Sequence, residues 1–428
     1  MTPGAKLLSI SNILKEVLDS IVCSNTPPDK ILITWFRKNR YAGSKDRKEI
    51  SDSVYGMLRR YFILNKIIIN KLSSYNYDKC VQLVIIYYIL FKDNQKKIIE
   101  YFDDGPYSLK KPDKIESYIE DVKNIDISQD LFNFSMPNWL YDEFLCSYRD
   151  KTKDISDSLL HPSNIDLRVS RYSNRDEVLK KLLRYDPAAI KTPYSSLGIR
   201  LSKRILLKNI IELNNEFIEI QDEGSQLVTL LSGIKDNELV IDLCAGVGGK
   251  SLFLAELAKN VKIIATDIDP ERLNKIKNRP SWKKNIHKID LDYEYNNIDI
   301  KADRVICDVP CSGSGAWRRR PEEKIRLTKN KFKELLVIQS NIIKKGANLL
   351  KVGGELVYIT CSLIKKENYD QIELFLKNNS LFEIVDLNYS WNNMIKSKVW
   401  MNDNSYIQLL PNIHKCDGFF IARLRKNK

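Results

Sequence analysis

The sequence predicts an α/β chain: a mainly parallel, doubly wound sheet over residues 226–428, preceded by a small α+β connector (131–225) and an all-helical N-terminal domain (1–130). Three observations predict it. Apolar residues recur at helical spacing through the first third, alternating stretches begin after about residue 131, and beyond 226 short apolar runs alternate with helix-like segments. That last rhythm is what strands joined by crossover helices produce.

Each part has its own markers. Leu7 to Ile21 carries apolar residues at helical spacing, and Ser44–Lys–Asp–Arg–Lys–Glu49 opens an amphipathic helix running through Tyr61. A polar, Pro-containing stretch around Asp103 to Asp113 closes the tighter helical run. In the connector, Ile165–Val169 alternates like a strand, Arg175 to Tyr185 reads as a helix, and Gly198–Leu201 resumes strand character. The C-terminal strands are expected at Leu239–Leu243, Lys262–Thr266, Arg304–Cys307 and Gly354–Ile359.

Composition narrows the function classes. The 428 residues hold 69 Lys and Arg against 55 Asp and Glu, a formal charge of +14, which suits a polyanionic partner, with nucleic acid ahead of a membrane surface. The longest uncharged apolar stretch, Val81 to Phe91, is about half of what a membrane-spanning helix needs. The first residues carry Lys6, Lys15 and Glu16 and no secretory pattern, so an unprocessed cytoplasmic protein is expected. Eight scattered cysteines, with no Cys-x-x-Cys pair and no His at ligand spacing, argue against a zinc site and a disulfide framework. No metal is expected. His161, His287 and His414 sit in no catalytic pattern.

One loop points to a nucleotide-type cofactor. Leu239 to Lys250 reads as a strand, a glycine-rich turn and the start of a helix through Ala258, with Gly246, Gly248 and Gly249 letting the backbone approach a ligand. A P-loop needs Gly where Cys244 stands, and a dinucleotide fingerprint needs Gly or Ala where Ser251 stands. What remains is the looser loop of class I (Rossmann-like) methyltransferases, which bind S-adenosylmethionine (SAM). Asp267, ending the second strand, is placed to accept the two ribose hydroxyls, and Asp290, ending a further short strand, to face the adenine.

Two cysteines carry the chemistry. Asp308–Val–Pro–Cys311–Ser–Gly–Ser–Gly315 follows one strand and Thr360–Cys361–Ser362 another, so both emerge at the carboxyl edge of the sheet, where ligands bind. If those strands are neighbours, the two thiols share a cleft. Carbon 5 of cytosine is too weak a nucleophile to take a methyl group directly; thiolate addition at carbon 6 makes it enamine-like, and a base must later remove the carbon-5 proton. A free thiol with a pKa near 8.5 is only about 3% thiolate at neutral pH, so the nucleophile needs local activation. Asp308 is the natural group to hydrogen-bond the amine or N3 of the base.

The runs DLCAGVGGK, DVPCSGSG followed by RRRP, and GGELVYITCS with ENYDQIELFL closely resemble the RsmB/NOP/Sun family of RNA cytosine-C5 methyltransferases. Gln221 to Gln226 and the tail Asp417 to Leu424 also match, and the matches run in family order from about residue 161 to 424. The resemblance implies Cys361 as nucleophile, Cys311 as the thiol that assists release, and SAM contacts from Cys244, Ala245, Gly246, Val247, Gly248, Gly249, Lys250, Asp267, Asp290 and Asp308. Residue chemistry alone leaves the two cysteine roles open, since DNA cytosine methyltransferases use the Pro-Cys thiol. One departure is Gly246–Val247 in place of the common Ala-Pro, which implies altered loop stiffness with cofactor binding kept. Asp46 through Arg59 resembles the NusB-like RNA-binding domain of the family, the connector its ferredoxin- or RRM-like segment, and Trp317 with Arg318, Arg319 and Arg320 offers a stacking ring beside phosphate-binding guanidiniums. The expected partner is RNA, ribosomal first and transfer RNA second, with the enzyme a monomer. The competing readings are a methyltransferase for DNA or another nucleic acid and a non-catalytic RNA-binding assembly factor on the same fold.

Overall fold

The computed structural model describes residues 1–24, 26–92, 98–102, 105, 107–127, 135–205, 210, 218–279, 281–285, 287–292, 300–395 and 405–427. The chain forms two compact units, one of residues 1–162 with 317–328 and one of residues 163–316 with 329–428. This differs from the three segments expected. The boundary near 131 and the residues Asp103, Asp104 and Pro106 lie outside the described residues.

The first unit is helical. Its core joins Leu7, Ile10 and Leu14 of the helix Pro3–Cys23 to Val54 and Leu58 of Ser44–Arg59 and to Leu83–Ile86 of Lys79–Phe91. Asp78 caps the last of these by accepting from the amides of Cys80 and Val81, at 2.8 and 3.2 Å. That helix is buried on every face, which explains its uncharged run: it is the centre of a helical bundle. Among the described residues no helix is long and apolar enough to cross a membrane. The helix expected to run through Tyr61 ends at Arg59, and a second begins at Tyr61.

Residues 317–328 supply this unit with a short helix, Pro321–Arg326. Trp317 is fully buried and stacks on Phe144, with centroids 6.1 Å apart and ring planes at 22°. Arg59 Nε donates to the Arg318 carbonyl at 2.8 Å, and Lys324 Nζ donates to the carbonyls of Arg59 and Ser135, each at 2.9 Å.

The second unit holds two sheets. The smaller is antiparallel, in the order β2-β3-β1-β4, from β1 (Ile165–Val169), β2 (Ile190–Lys191), β3 (Gly198–Leu201) and β4 (Ile218–Ile220). The larger comprises β5 (Leu239–Asp242), β6 (Lys262–Thr266), β7 (Ile289–Asp292), β8 (Ala302–Asp308), β9 (Leu350–Thr360), β10 (Phe382–Val385), β11 (Ile407–Leu409) and β12 (Phe419–Lys426). Its order is β10-β12-β9-β8-β5-β6-β7, with β11 also paired to β12. The strands from β9 to β7 are parallel, and β10, β11 and β12 add an antiparallel edge. Val240 and Ile241, Ile263 and Ala265, and Val305 and Ile306 are all buried, as strands covered on both faces require.

The small sheet belongs with this unit for a physical reason. Arg168 of β1 forms a fully buried ion pair with Glu256, at 2.9 Å, inside the helix Gly249–Leu257. Arg200 of β3 joins Asp166 to Glu223, and Gln226 Nε2 donates to the Leu167 carbonyl. Strand order reverses at β5: β6 and β7 extend to one side, and β8 crosses back to the other. A crevice at the carboxyl ends of β5 and β8 follows from that reversal.

Candidate active site

At the end of β5 the chain turns through the glycine loop. Gly246 and Gly248 take φ of +58° and +79°, a region open to glycine and costly for most other residues, which gives a structural reason for glycine at both positions. Asp267 follows β6 and is 4% exposed. Its Oδ2 accepts from the Gly246 amide at 2.8 Å and its Oδ1 from the Asp269 amide at 3.0 Å. The residue expected at the ribose therefore also supports the loop.

Lys250, on the first turn of the following helix, reaches across the switch point. Its Nζ donates to Asp308 Oδ2 at 2.6 Å and lies 5.3 Å from the Phe419 ring centroid. Burial works against its charge, but the Asp308 carboxylate more than offsets this, and the ammonium is held above the ordinary lysine range, with Cys361 adding to the same effect. Behind it, burial pushes the Asp242 carboxyl up to about 7, although Ser251 Oγ donates to it at 2.6 Å.

The two thiols meet. Asp308 of β8 stands opposite Ile359 of β9, so the loops that follow leave the sheet side by side. Cys311 Sγ and Cys361 Sγ are 3.4 Å apart, and both residues are half-buried. The Cys311 thiol is held well above the usual thiol range, first by its hydrogen bond with Cys361, then by burial and by the negative charge of Glu367. Cys244 and Cys307 are also pushed up by burial, as expected of inert packed thiols.

A buried polar cluster beneath the thiols escaped sequence reasoning. Ser312, Ser314, Ser362, Gln339 and Glu367 join the two cysteine loops. The amide of Gly315 donates to the Cys361 carbonyl at 2.9 Å. The tail reaches the same place: the Gly418 amide donates to the Gly315 carbonyl at 2.9 Å, and a Cβ on Gly315 would sit 2.0 Å from the Gly418 oxygen. Asp222 Oδ1 accepts from the amides of Gly224 and Asp417, which joins the 221–226 motif to the tail motif. Only the motif matches signalled these residues, and none of them reached Gln339.

Two sets of expected residues sit differently from their place in the motifs. Asp290 is exposed and stands in register with Ile264, whereas Asp292 stands opposite Thr266 at the carboxyl end of the strand. The strand runs two residues further than expected, to Asp292. Trp317, Arg318, Arg319 and Arg320 lie in the helical unit. Trp317 and Arg318 are buried there, so neither is offered as a stacking ring or a phosphate contact, while Arg320 is exposed.

A family model described as 16S rRNA methyltransferase RsmB/F matches residues 228–425. The ribosomal RNA small subunit methyltransferase B of Shewanella oneidensis is 30% identical over 307 residues, covering 69% of this chain and 68% of that protein. The chain belongs to the RsmB/F methyltransferase family. A probable ribosomal RNA small subunit methyltransferase B of Bacillus subtilis is 32% identical over 302 residues. The match spans 66% of that protein's length and 66% of the Yersinia enterocolitica methyltransferase B. The crystal structure of PH0851 superposes with a TM-score of 0.75 at 22% identity, over 100% of this chain and 99% of its own, and shows a shared fold. Among the described residues no group of His, Cys, Asp or Glu is arranged to hold a metal.

Proposed function

We propose that the protein transfers a methyl group from SAM to carbon 5 of a cytosine in ribosomal RNA, through a transient bond between Cys361 and the base. The observation that carries this reading is the pair of thiols 3.4 Å apart at the carboxyl ends of adjacent strands. A binding module has no use for that pair, and membership of a methyltransferase family supplies the reaction class.

The residues at the switch point fit SAM. The Gly246–Gly249 backbone, the buried Asp267 carboxylate and Asp308 would hold it, with Asp292 in the place expected of Asp290. The amide oxygen of Gln221, whose Nε2 lies 3.4 Å from the Gly249 carbonyl, is buried with no protein partner, which suits a cationic donor on a ligand. When bound, SAM supplies an electrophilic methyl group.

The chain's own side chains do the rest. Cys361, as thiolate, adds to carbon 6 of the cytosine and makes carbon 5 nucleophilic. Asp308 hydrogen-bonds the amine edge of the base. After methylation the carbon-5 proton passes to solvent base, the C6–S bond breaks, and its electron pair returns to Cys361 Sγ. Cys311, whose thiol is held well above the usual range, donates its S–H toward that sulfur and stabilises it as it leaves. The +14 charge favours a polyanionic substrate.

The test is methyl transfer from labelled SAM to small-subunit ribosomal RNA, followed by digestion to nucleosides. Label in 5-methylcytosine is expected. Label in another nucleoside, or in DNA in preference to RNA, would overturn the assignment.

A further inference from the structure

Glu367 lies beneath both thiols and is fully buried. Its Oε1 accepts from the Ser312 amide at 2.7 Å and from Gln339 Nε2 at 2.9 Å. Its Oε2 accepts from Ser312 Oγ and Ser362 Oγ, both at 2.5 Å. Ser312 follows Cys311 and Ser362 follows Cys361, so one carboxylate holds the residue next to each thiol. Gln339 also donates to the Pro310 carbonyl at 3.0 Å, which ties the long helix Lys329–Asn348 to the start of the Cys311 loop. Ser314 Oγ lies 3.1 Å from Ser362 Oγ and accepts from the Leu363 amide at 2.7 Å. Burial pushes the Glu367 carboxyl up, and the four donors around it, from Ser312, Ser362 and Gln339, work against that by favouring its ionised form.

We infer that Glu367 is a positioning residue: its buried carboxylate clamps the Cys311 loop to the Cys361 loop and disfavours a thiolate at Cys311. The inference rests on the reading of Cys361 as nucleophile and Cys311 as the assisting thiol. The clamp fixes the distance between the sulfurs through two short side chains of low conformational entropy. The charge does the second job. A fully buried carboxylate disfavours a second negative charge close by, and it acts on Cys311. Tyr358, which donates its hydroxyl to the Glu367 backbone carbonyl at 2.6 Å, is itself pushed well up by burial first and Glu367 next. The anion that acts on Cys311 favours its S–H form, which suits it as the hydrogen-bond donor of the pair.

Alkylation by iodoacetamide tests this directly, since each thiolate that reacts forms one thioether and releases one iodide, and peptide mass spectrometry reports Cys311 separately. Neither SAM nor RNA is needed, so an inactive wild-type enzyme would count against the proposed function and leave this result to be read independently. In the Cys361→Ala background, which removes the neighbouring thiol, Glu367→Gln keeps the size of the side chain. Its amide is able to donate to the rotatable Ser312 and Ser362 hydroxyls while its oxygen keeps the Ser312 and Gln339 bonds. Without the charge, Cys311 alkylation at pH 8 should speed up about tenfold, the effect of lowering a thiol pKa by one unit. Glu367→Asp keeps the charge but shortens the reach, so Cys311 should stay slow to alkylate while methyl-transfer kcat falls at least tenfold with KM for RNA little changed. A folded Glu367→Gln protein whose Cys311 reacts within twofold of the parent rate would overturn the inference. So would a Glu367→Asp protein as reactive as Glu367→Gln; if Glu367→Gln does not fold, a Glu367→Asp protein with a reactive Cys311 does the same.

Discussion

Replacing Asp267 with alanine separates two jobs that one carboxylate performs. It accepts from the buried Gly246 amide at 2.8 Å and from the Asp269 amide at 3.0 Å, and in the proposed complex it also faces the SAM ribose. A hydrogen bond to a charged acceptor contributes about 1.5–3 kcal/mol. Gly246 sits in a loop whose positive φ already costs most residues conformational freedom, so its amide has no easy alternative partner. The Asp269 amide lies closer to solvent, where water replaces the lost bond. Asp267→Ala should therefore lower stability by about 2 kcal/mol without ligand, a fall in Tm of roughly 4–8 °C for a unit of this size. SAM affinity should fall by a further ~10–100-fold, read by calorimetry well below the melting temperature. Unchanged Tm together with unchanged SAM affinity would refute both the loop support and the placement of the ribose. Lower Tm with unchanged affinity would leave Asp267 a structural residue alone.

Other perturbations test other parts of the account. Trp317→Ala should cost about 3–5 kcal/mol in the helical unit, because a fully buried indole stacked on Phe144 is lost; a variant as stable as wild type but weak in RNA binding would restore the stacking role. His414, whose Nδ1 accepts the Leu410 amide at 2.9 Å, is pushed down from 6.5 to about 4 by burial, despite a backbone bond at Leu410 that works the other way. Its depressed folded value means that its contribution, at most about 3 kcal/mol, is present above pH 6.5 and lost as pH falls toward 4. His414→Asn keeps an acceptor and removes the titration, so its urea midpoint should vary less between pH 7 and pH 4.5 than that of wild type, and an equal variation would show that another group governs acid loss.

Much of the second unit is legible because a parallel sheet buries its strands on both faces. Lys262–Thr266 and Ile165–Val169 have the bounds the sequence predicts, and β5 ends one residue short of expectation. The antiparallel edge is not legible, because β10 pairs with β12 across about forty residues and short alternating runs do not announce their partners. The thiol contact depends on β8 lying beside β9, a pairing that the motifs allow but that strand order decides. The strand DLD at 290–292 offers carboxylates at alternate positions, and choosing between Asp290 and Asp292 takes a register. Glu367 sits in a run of ordinary helix-forming polar residues, and only burial beneath two loops distinguishes it. Trp317 followed by three arginines reads like an RNA contact, yet its partner Phe144 and the Arg59 side chain that binds the next residue's carbonyl come from 173 and 259 positions away.

The measurement that bears most directly on the central claim is the covalent adduct formed with a cytosine-containing fragment of small-subunit ribosomal RNA in the presence of SAM. Cys361→Ala should give no methylation and no adduct. Cys311→Ala should attack and methylate but release slowly, and so accumulate a protein–RNA species that survives denaturing electrophoresis. A flexible or looped cytosine should crosslink best, since the base must leave its stack at a cost of a few kcal/mol. Adduct trapped by Cys361→Ala and absent in Cys311→Ala would reverse the two roles. Absence of adduct in both variants, beside an active wild type, would contradict a covalent mechanism.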